Sequence, residues 1–241
     1  MIAEAALEAV PRELVAHPSV KNHAQRAGRA ANEILLDRSY HHSAMLQANL
    51  KEHWKRGRPD IVHFALMEAL STPLFLTGRL NVYVHTVNDE LLYIGANLRI
   101  PKSYFRFEGL IIDLFKKKVI YSVDAVTNKQ NNNTTESKRV LLQLHEGITF
   151  DKVLNDIIKP SKSIGLSTIG IQSTPHDVVK RNLFPDDTDC TFVVGGFPKG
   201  HFSNNIMSSL NRIYSISEYS LEAHVVIARI LYECEGKLKS R

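Results

Sequence analysis

Near the C-terminal end of the chain stands Thr191-Phe192-Val193-Val194-Gly195-Gly196-Phe197-Pro198-Lys199-Gly200, an apolar run followed by a glycine-rich loop. An apolar run of this kind is typical of a buried parallel strand, and glycines after it let the backbone approach a ligand closely. The spacing matches neither the dinucleotide fingerprint G-x-G-x-x-G nor a P-loop. On spacing alone an ordinary turn is favoured, and a ligand-binding loop stays open as the alternative.

The segments around this strand alternate between helical and extended patterns. In the second half we predict a helix near 150–158, a strand over 163–168, a helix over 175–182, the strand 190–194 and a last helix over 221–236 with Ser220 as its N-cap. In the first half we predict a strand over 2–7, a helix over about 19–31, a helix over 61–70, a hairpin over 80–94 and a helix from Ser103. The polar run 128–138 is expected to be an exposed loop. Strands that alternate with helices indicate an α/β fold with a mainly parallel sheet.

Composition narrows the class of protein without naming a function. The 241 residues are 44% hydrophobic, enough for a substantial core, and 30 Lys and Arg against 25 Asp and Glu give a net charge of +5. That mild basic excess permits a nucleic-acid partner without requiring one. No apolar run reaches the roughly 18 residues of a membrane span, and Glu4 and Glu8 argue against a signal peptide. Two cysteines fit a reducing compartment.

Two side-chain groups invite a functional interpretation. Arg99, Lys102 and Arg106 surround a loop-to-helix junction that also carries aromatic residues, which suits a phosphate-binding surface with stacking rings. A solvated helix start explains the same residues equally well. The second group consists of His41, His42, His53 and His63. It has no metal-binding spacing such as H-E-x-x-H, so we expect no metal, and no G-x-S-x-G indicates nucleophilic catalysis.

The ordered set of motifs is more specific than any one of them. In chain order they are Arg58-Pro59-Asp60-Ile61, Leu80-Asn81-Val82-Tyr83-Val84-His85-Thr86, Arg99-Ile100-Pro101-Lys102-Ser103-Tyr104-Phe105-Arg106-Phe107, Ile164-Gly165-Leu166-Ser167, Phe192-Val193-Val194-Gly195-Gly196-Phe197 and Ser215-Ile216-Ser217-Glu218-Tyr219-Ser220-Leu221. Together they resemble the small-subunit ribosomal RNA pseudouridine-N1 methyltransferases of archaea and eukaryotes, a branch of the SPOUT class. The resemblance covers nearly the whole chain.

The resemblance implies a fold, a cofactor and partners that the residues alone do not. The expected fold is a single SPOUT methyltransferase domain over 1–241 with a C-terminal trefoil knot, an extension around 17–58 and an RNA-gripping insertion around 80–107. The expected cofactor is S-adenosylmethionine, and the expected partners are small-subunit ribosomal RNA and a second copy of the chain, with no membrane and no metal. The implied role lies in biogenesis of the small ribosomal subunit. Since the chain starts at its first strand without an acidic tail, we expect an archaeal, cytoplasmic protein over a nucleolar one.

Site residues follow from the same resemblance, position by position. The cofactor pocket is expected at Leu166, Gly195, Gly200, Ile216, Ser217, Glu218, Tyr219, Ser220 and Leu221. RNA is expected to contact Arg58, Arg99, Lys102 and Arg106. Lys102 stands where the family commonly has Arg, which keeps the charge and loses the bidentate fork. Glu218 and Ser220 replace Asn and Pro, so backbone contacts with the cofactor are expected to persist while side-chain contacts change.

The implied reaction moves a methyl group to N1 of a flipped-out pseudouridine, whose C-glycosidic bond leaves N1 with a hydrogen. Arg58 and Arg99 are the candidates to stabilise anionic character on the base, and Asp60 is the candidate proton acceptor. An ion pair at the start of a helix is the favoured alternative for Asp60. Two other functions stay open: an RNA chaperone of small-subunit assembly that has lost the chemistry, and a SPOUT methyltransferase acting on tRNA.

Overall fold

The computed structural model describes residues 1–96, 98–127, 134–183 and 189–238. Within these ranges the strands are β1 (Ile2–Ala5), β2 (Tyr83–Thr86), β3 (Leu91–Ile94), β4 (Val119–Thr127), β5 (Thr134–His145), β6 (Lys162–Gln172), β7 (Cys190–Gly195) and β8 (Arg212–Ser215). The helices are α1 (Pro18–Ala27), α2 (Arg38–Gln47), α3 (Pro59–Leu70), α4 (Pro73–Leu76), α5 (Tyr104–Lys117), α6 (Phe150–Lys152, continued by a π-helical turn Val153–Ile158), α7 (Pro175–Leu183), α8 (Asn204–Ser209) and α9 (Ala223–Leu238).

The described strands form one sheet in the order β4-β5-β3-β2-β1-β7-β6-β8. Strands β2, β1, β7, β6 and β8 are neighbours that pair in parallel, whereas β3, β5 and β4 add an antiparallel end. The predicted α/β fold with a mainly parallel sheet is therefore confirmed. Because the five parallel strands point the same way, their carboxyl ends meet at one edge, where ligands of α/β sheets usually bind.

Buried apolar side chains of the described residues form three hydrophobic cores, of which two concern the helices before and around the sheet. The larger one joins the sheet to α3, α5 and α9, and it includes Leu66, Phe107 and Ile230. A second, smaller core lies within the segment before α3 and includes Val20 and Met45. Since this extension buries apolar side chains of its own, it has a fixed shape against which neighbouring loops can pack.

Polar contacts attach the extension to α5. The Tyr104 hydroxyl donates a hydrogen bond to Asp37 Oδ2 at 3.0 Å, and Lys116 Nζ lies 2.9 Å from Glu33 Oε2. Asp37 also caps α2, because its Oδ1 accepts from the Ser39 N–H at 2.8 Å. One carboxylate therefore orders both a helix start and the junction with α5.

Some predicted boundaries are wrong for identifiable reasons. The first helix ends at Ala27 instead of Ala31, because Gly28 adopts the left-handed conformation with φ 62° and its N–H closes on Ala24 O and Gln25 O. The expected loop over 128–138 is wrong for 134–138, which pair with β4 as part of β5, while 128–133 lie outside the described residues. Ser220 is not the N-cap of the last helix, since α9 begins at Ala223.

The remaining expectations about architecture stay predictions. Residues 80–107, expected to be an insertion, contain β2, β3 and the start of α5. The single-domain boundaries and the C-terminal knot remain implied by the resemblance alone. In the part of the chain that the structure describes, no helix is both long enough and apolar enough to cross a bilayer.

Candidate functional site

A cleft of about 430 Å³ opens at the carboxyl ends of β6, β7 and β8. Residues 166–168 of β6 and the loops that follow β7 and β8 supply most of its wall, and the starts of α3 and α9 supply the rest. Its principal lining residues are Arg58, Ile61, Leu166, Ser167, Thr168, Gly195, Phe197, Lys199, Gly200, His201, Ile216, Ser217, Tyr219, Ser220, Leu221 and Glu222. The cleft therefore collects eight of the nine residues expected to bind the cofactor; Glu218 is exposed and does not line it.

The glycine loop after β7 has a geometry that requires glycine. The Gly196 N–H donates to Ala3 O and Gly196 O accepts from the Ala6 N–H, both at 2.8 Å, so the loop is fixed against β1. A Cβ on Gly196 would lie 2.8 Å from Ala5 Cα, which is closer than backbone packing allows. Gly200 has φ +91°, a conformation that other residues rarely adopt. The loop is a fixed cradle beside the cleft, as a ligand-binding loop requires.

The loop after β8 is ordered by hydroxyl groups. Ser215 Oγ donates to Ser217 O at 2.8 Å, and the Tyr219 N–H donates to Ser217 Oγ at 3.0 Å. Ser217 therefore uses its side chain to shape the loop, which leaves backbone groups of the following residues beside the cleft. The Tyr219 ring is 77% exposed at the rim. This arrangement fits the expectation that backbone groups of residues 216–221 carry the cofactor contacts.

Arg58 and Asp60 form a two-pronged ion pair at the start of α3. Arg58 Nε lies 2.8 Å from Asp60 Oδ1, and Arg58 Nη2 lies 2.7 Å from Oδ2. The hydrogen bond that Arg58 donates to Asp60 is the main cause that raises the pKa of Arg58. Asp60 is therefore engaged in an ion pair at the start of a helix, the favoured alternative of the sequence analysis. The pair fixes the Arg58 guanidinium in the wall of the cleft.

The other expected RNA contacts lie outside the cleft, on the segment that leads into α5 and on the first turn of that helix. Arg99, Lys102 and Arg106 are exposed, and between them the Phe105 ring is 77% exposed. A hydrogen bond attaches this segment to α3, because His63 Nε2 lies 2.7 Å from Pro101 O. Of the two aromatic residues that the sequence places at this junction, Tyr104 is half-buried, so Phe105 is the one exposed for stacking.

Neither thiol is placed for nucleophilic chemistry. Burial raises the pKa of Cys190 and of Cys234 to about 12, so both remain protonated at neutral pH. Among the described residues, no group of three His, Cys, Asp or Glu side chains is placed to hold a metal ion. The cleft wall carries the polar side chains of Arg58, His201 and Glu222.

Comparisons with known proteins agree with this geometry. The family model described as EMG1/NEP1 methyltransferase matches residues 1–235. A protein of Thermococcus sibiricus named ribosomal RNA small subunit methyltransferase Nep1 is 36% identical over 238 residues, 99% of this chain and 97% of its own. A Saccharolobus solfataricus protein of the same name is 33% identical, covering 99% of this chain and 96% of its own.

A solved structure is similar over the full length. The crystal structure of Archaeoglobus fulgidus Nep1 bound to S-adenosylhomocysteine superposes with a TM-score of 0.77 at 28% identity, covering 100% of this chain and 97% of that one. The likeness extends from the first strand to the last described helix, so both the sheet and the cleft-forming loops belong to the shared fold. On these matches, the chain belongs to the EMG1/NEP1 methyltransferase family.

Proposed function

We propose that this chain is an S-adenosylmethionine-dependent methyltransferase that modifies ring nitrogen N1 of a pseudouridine in small-subunit ribosomal RNA. The observation that carries the proposal is the cleft at the carboxyl ends of β6, β7 and β8, with a fixed glycine loop on one side and Arg58 on the other. The relatives named ribosomal RNA small subunit methyltransferase Nep1 and the S-adenosylhomocysteine complex support the substrate class and the cofactor.

The residues of the cleft fit the cofactor. The open space beside Gly195 and Gly200 and the loop over 216–221 offer apolar surface together with backbone groups, as an adenosine and an amino-acid moiety require. When bound, S-adenosylmethionine supplies a methyl group on a positively charged sulfur. Leu166, Ile216 and Leu221 provide apolar wall, and Ser217 holds the loop in shape.

The chain's own contribution to the reaction is placement and charge. Methylation at N1 would form a nitrogen–carbon bond as the sulfur–carbon bond of the donor breaks, and the N1 proton would pass to solvent. Departure of that proton would leave negative charge on the base. The Arg58 guanidinium, fixed by Asp60, stabilises that charge from the wall of the cleft. Both oxygens of Asp60 are engaged by Arg58, so we assign Asp60 the role of positioning residue. Precise placement of the reacting atoms supplies much of the remaining acceleration.

Substrate RNA is expected along the segment from Arg99 to Arg106. Three exposed cations there attract phosphates, and the exposed Phe105 ring offers a face to an unstacked base. A single-stranded loop suits this surface because its target base is cheap to extrude. We further propose that the chain forms a homodimer, which would double the number of these cations. Light scattering measures the oligomeric state. We also propose that the backbone is knotted at the loops that bind the cofactor.

The proposal is tested by calorimetry and labelling together. We expect saturable binding of S-adenosylmethionine and transfer of label to a small-subunit ribosomal RNA fragment, with no transfer to tRNA. RNA binding without cofactor affinity would identify an assembly chaperone instead. Transfer to tRNA in preference to ribosomal RNA would identify another SPOUT enzyme. Either result would overturn the proposed function.

A further inference from the structure

We propose that Lys55 is a positioning residue for the cofactor cleft, and that through it the N-terminal extension holds the glycine loop in its ligand-binding shape. The cofactor part of this inference rests on the proposed function. Lys55 lies in the extension, just before α3, and its side chain is only 8% exposed. No sequence motif pointed to it, because its partners are distant in the chain.

Lys55 contacts both strand β1, through Glu4, and the glycine loop, through Phe197. Its Nζ lies 2.9 Å from Glu4 Oε2 and 4.6 Å from the centroid of the Phe197 ring. Phe197 lines the cleft and packs over Gly195, since a Cβ built on Gly195 would lie 2.7 Å from the ring. The ammonium group therefore joins the end of β1 to the ring that covers the start of the glycine loop.

The Glu4 carboxylate holds the far end of the same loop. Both of its oxygens accept from the Ser203 N–H, at 3.2 and 3.3 Å, while Oε2 also accepts from Lys55. Glu4 has φ +47°, an unfavourable backbone conformation for a residue other than glycine. Such strain persists where surrounding contacts compensate for it, and the contacts of this carboxylate do so.

The methylene chain of Lys55 packs next to Gly200, in the middle of the glycine loop. A Cβ built on Gly200 would lie 3.6 Å from Lys55 Cε, so the methylene chain runs beneath the middle of the loop. Phe197, Gly200 and Ser203 are thus each contacted by Lys55 or by its partner Glu4. Removing the ammonium group would leave the largely buried Glu4 carboxylate without its counter-ion and would loosen Phe197 and the Ser203 end of the loop. The backbone hydrogen bonds of Gly196 with Ala3 and Ala6 would remain.

A neighbouring ion pair provides a matched control. Arg56 Nε lies 2.8 Å from Glu8 Oε1, and the side chains of this pair are 14% and 1% exposed. It joins the same segment to the exit of β1, yet neither residue lines the cleft. Arg56→Met therefore breaks an equally buried ion pair one residue away without touching the glycine loop.

The test compares Lys55→Met with Arg56→Met by three measurements: hydrogen–deuterium exchange of residues 196–203 in the cofactor-free protein, S-adenosylmethionine affinity by calorimetry, and unfolding temperature. We expect Lys55→Met to speed exchange of the loop amides, Ser203 included, by at least tenfold and to weaken the cofactor about tenfold. Arg56→Met is expected to lower the unfolding temperature by a similar amount. Its loop exchange rates and its S-adenosylmethionine affinity should change less than twofold. Lys55→Arg should restore slow exchange.

Unchanged exchange in Lys55→Met, or equal losses in both variants, would overturn the inference. Should Lys55→Met not fold, Glu4→Gln carries the test, since it keeps an acceptor for Ser203 and loses the charge. Failure of the wild-type protein to bind S-adenosylmethionine would overturn the proposed function alone, because the exchange comparison does not depend on the cofactor.

Discussion

At the scale of single residues, the proposed chemistry depends on how the Arg58 guanidinium is held. Its guanidinium is paired in two-pronged fashion to Asp60, which lies two positions further along the chain at the start of α3. Such a pair costs less side-chain entropy to form than one between distant flexible residues, and it fixes a direction as well as a charge. The role of Asp60 is therefore open to direct measurement.

Asp60→Asn is expected to lower turnover about tenfold, because the amide keeps one hydrogen-bond acceptor for Arg58 and loses the charge. The pH profile of turnover should keep its shape, as a positioning residue does not transfer the proton. A loss of 100-fold or more, together with disappearance of the acid limb of the profile, would identify Asp60 as the general base instead.

The exposed residues before α5 and in its first turn carry a second prediction at this scale. Arg99→Ala and Phe105→Ala should each weaken RNA binding about tenfold, the first by removing a phosphate contact and the second by removing a stacking face. Only the Arg99 variant should reduce the salt dependence of binding. Leu76→Ala removes a comparably exposed apolar side chain elsewhere and serves as the control. Cofactor affinity that falls with RNA affinity would show that the two sites are not separate.

The family resemblance predicted residues that line the cleft, but it did not predict Lys55, which contacts the glycine loop from outside the cleft. Leu166, Gly195 and Gly200 stand in ordered motifs that a sequence displays directly. Lys55 acts through Glu4, which lies 51 positions away along the chain. Contacts of that kind arise from the tertiary fold, and no spacing rule describes them.

At the scale of elements, a contact between the half-buried His23 of α1 and the buried His41 of α2 makes the extension sensitive to pH. His41 is fully buried; its Nδ1 accepts from the Asp37 N–H at 3.1 Å, and its Nε2 lies 3.0 Å from His23 Nδ1. Burial is the largest cause that lowers the pKa of His41 to about 4, and it also lowers the pKa of His23. His17 and Arg26 act in the same direction, whereas Asp37 opposes them.

Because the pKa of His41 is lower in the folded protein than its ordinary value of 6.5, protons bind preferentially to the unfolded chain. The stability contributed by neutral His41 is complete above pH 6.5 and is lost as the pH falls towards 4, by roughly 3 kcal/mol in all. We expect the unfolding temperature to fall less steeply over this range in His41→Gln than in His42→Gln, its exposed neighbour. Equal slopes would contradict this account.

Elements were predictable where their pattern was uniform. The parallel strands β1, β2, β6 and β7 and the helices α3, α5 and α7 were predicted from their apolar patterns, and the structure confirms them. Strand β8 (Arg212–Ser215) has only four residues and was missed. Helix α2 was missed because one of its three buried side chains is His41, which hides the apolar stripe. Helix α8 is too short, over Asn204–Ser209, to display a period at all.

At the scale of the whole molecule, cofactor binding should stabilise the fold by mass action. At a free concentration 100-fold above its dissociation constant, a ligand contributes about 2.7 kcal/mol. For a chain of this size that corresponds to a rise in unfolding temperature of roughly 5–10 °C. Differential scanning calorimetry measures the rise, and Arg99→Ala should show it undiminished. No rise at saturating S-adenosylmethionine would contradict the assignment of the cleft.

The net charge of +5 illustrates what the whole sequence could and could not indicate. The net charge alone is compatible with many classes of binding partner. Its placement is informative, because Arg58 lines the cleft while Arg99, Lys102 and Arg106 lie exposed on the segment fastened to α3. Placement follows from packing between elements distant in sequence, so composition could not supply it.

The central claim is that the chain methylates pseudouridine and not uridine. The most direct measurement is incubation with labelled S-adenosylmethionine and two small-subunit ribosomal RNA loop oligonucleotides that differ only in carrying pseudouridine or uridine at the target position. The account predicts label in the pseudouridine oligonucleotide alone, on N1. Equal label in both oligonucleotides, or label in neither, would contradict it.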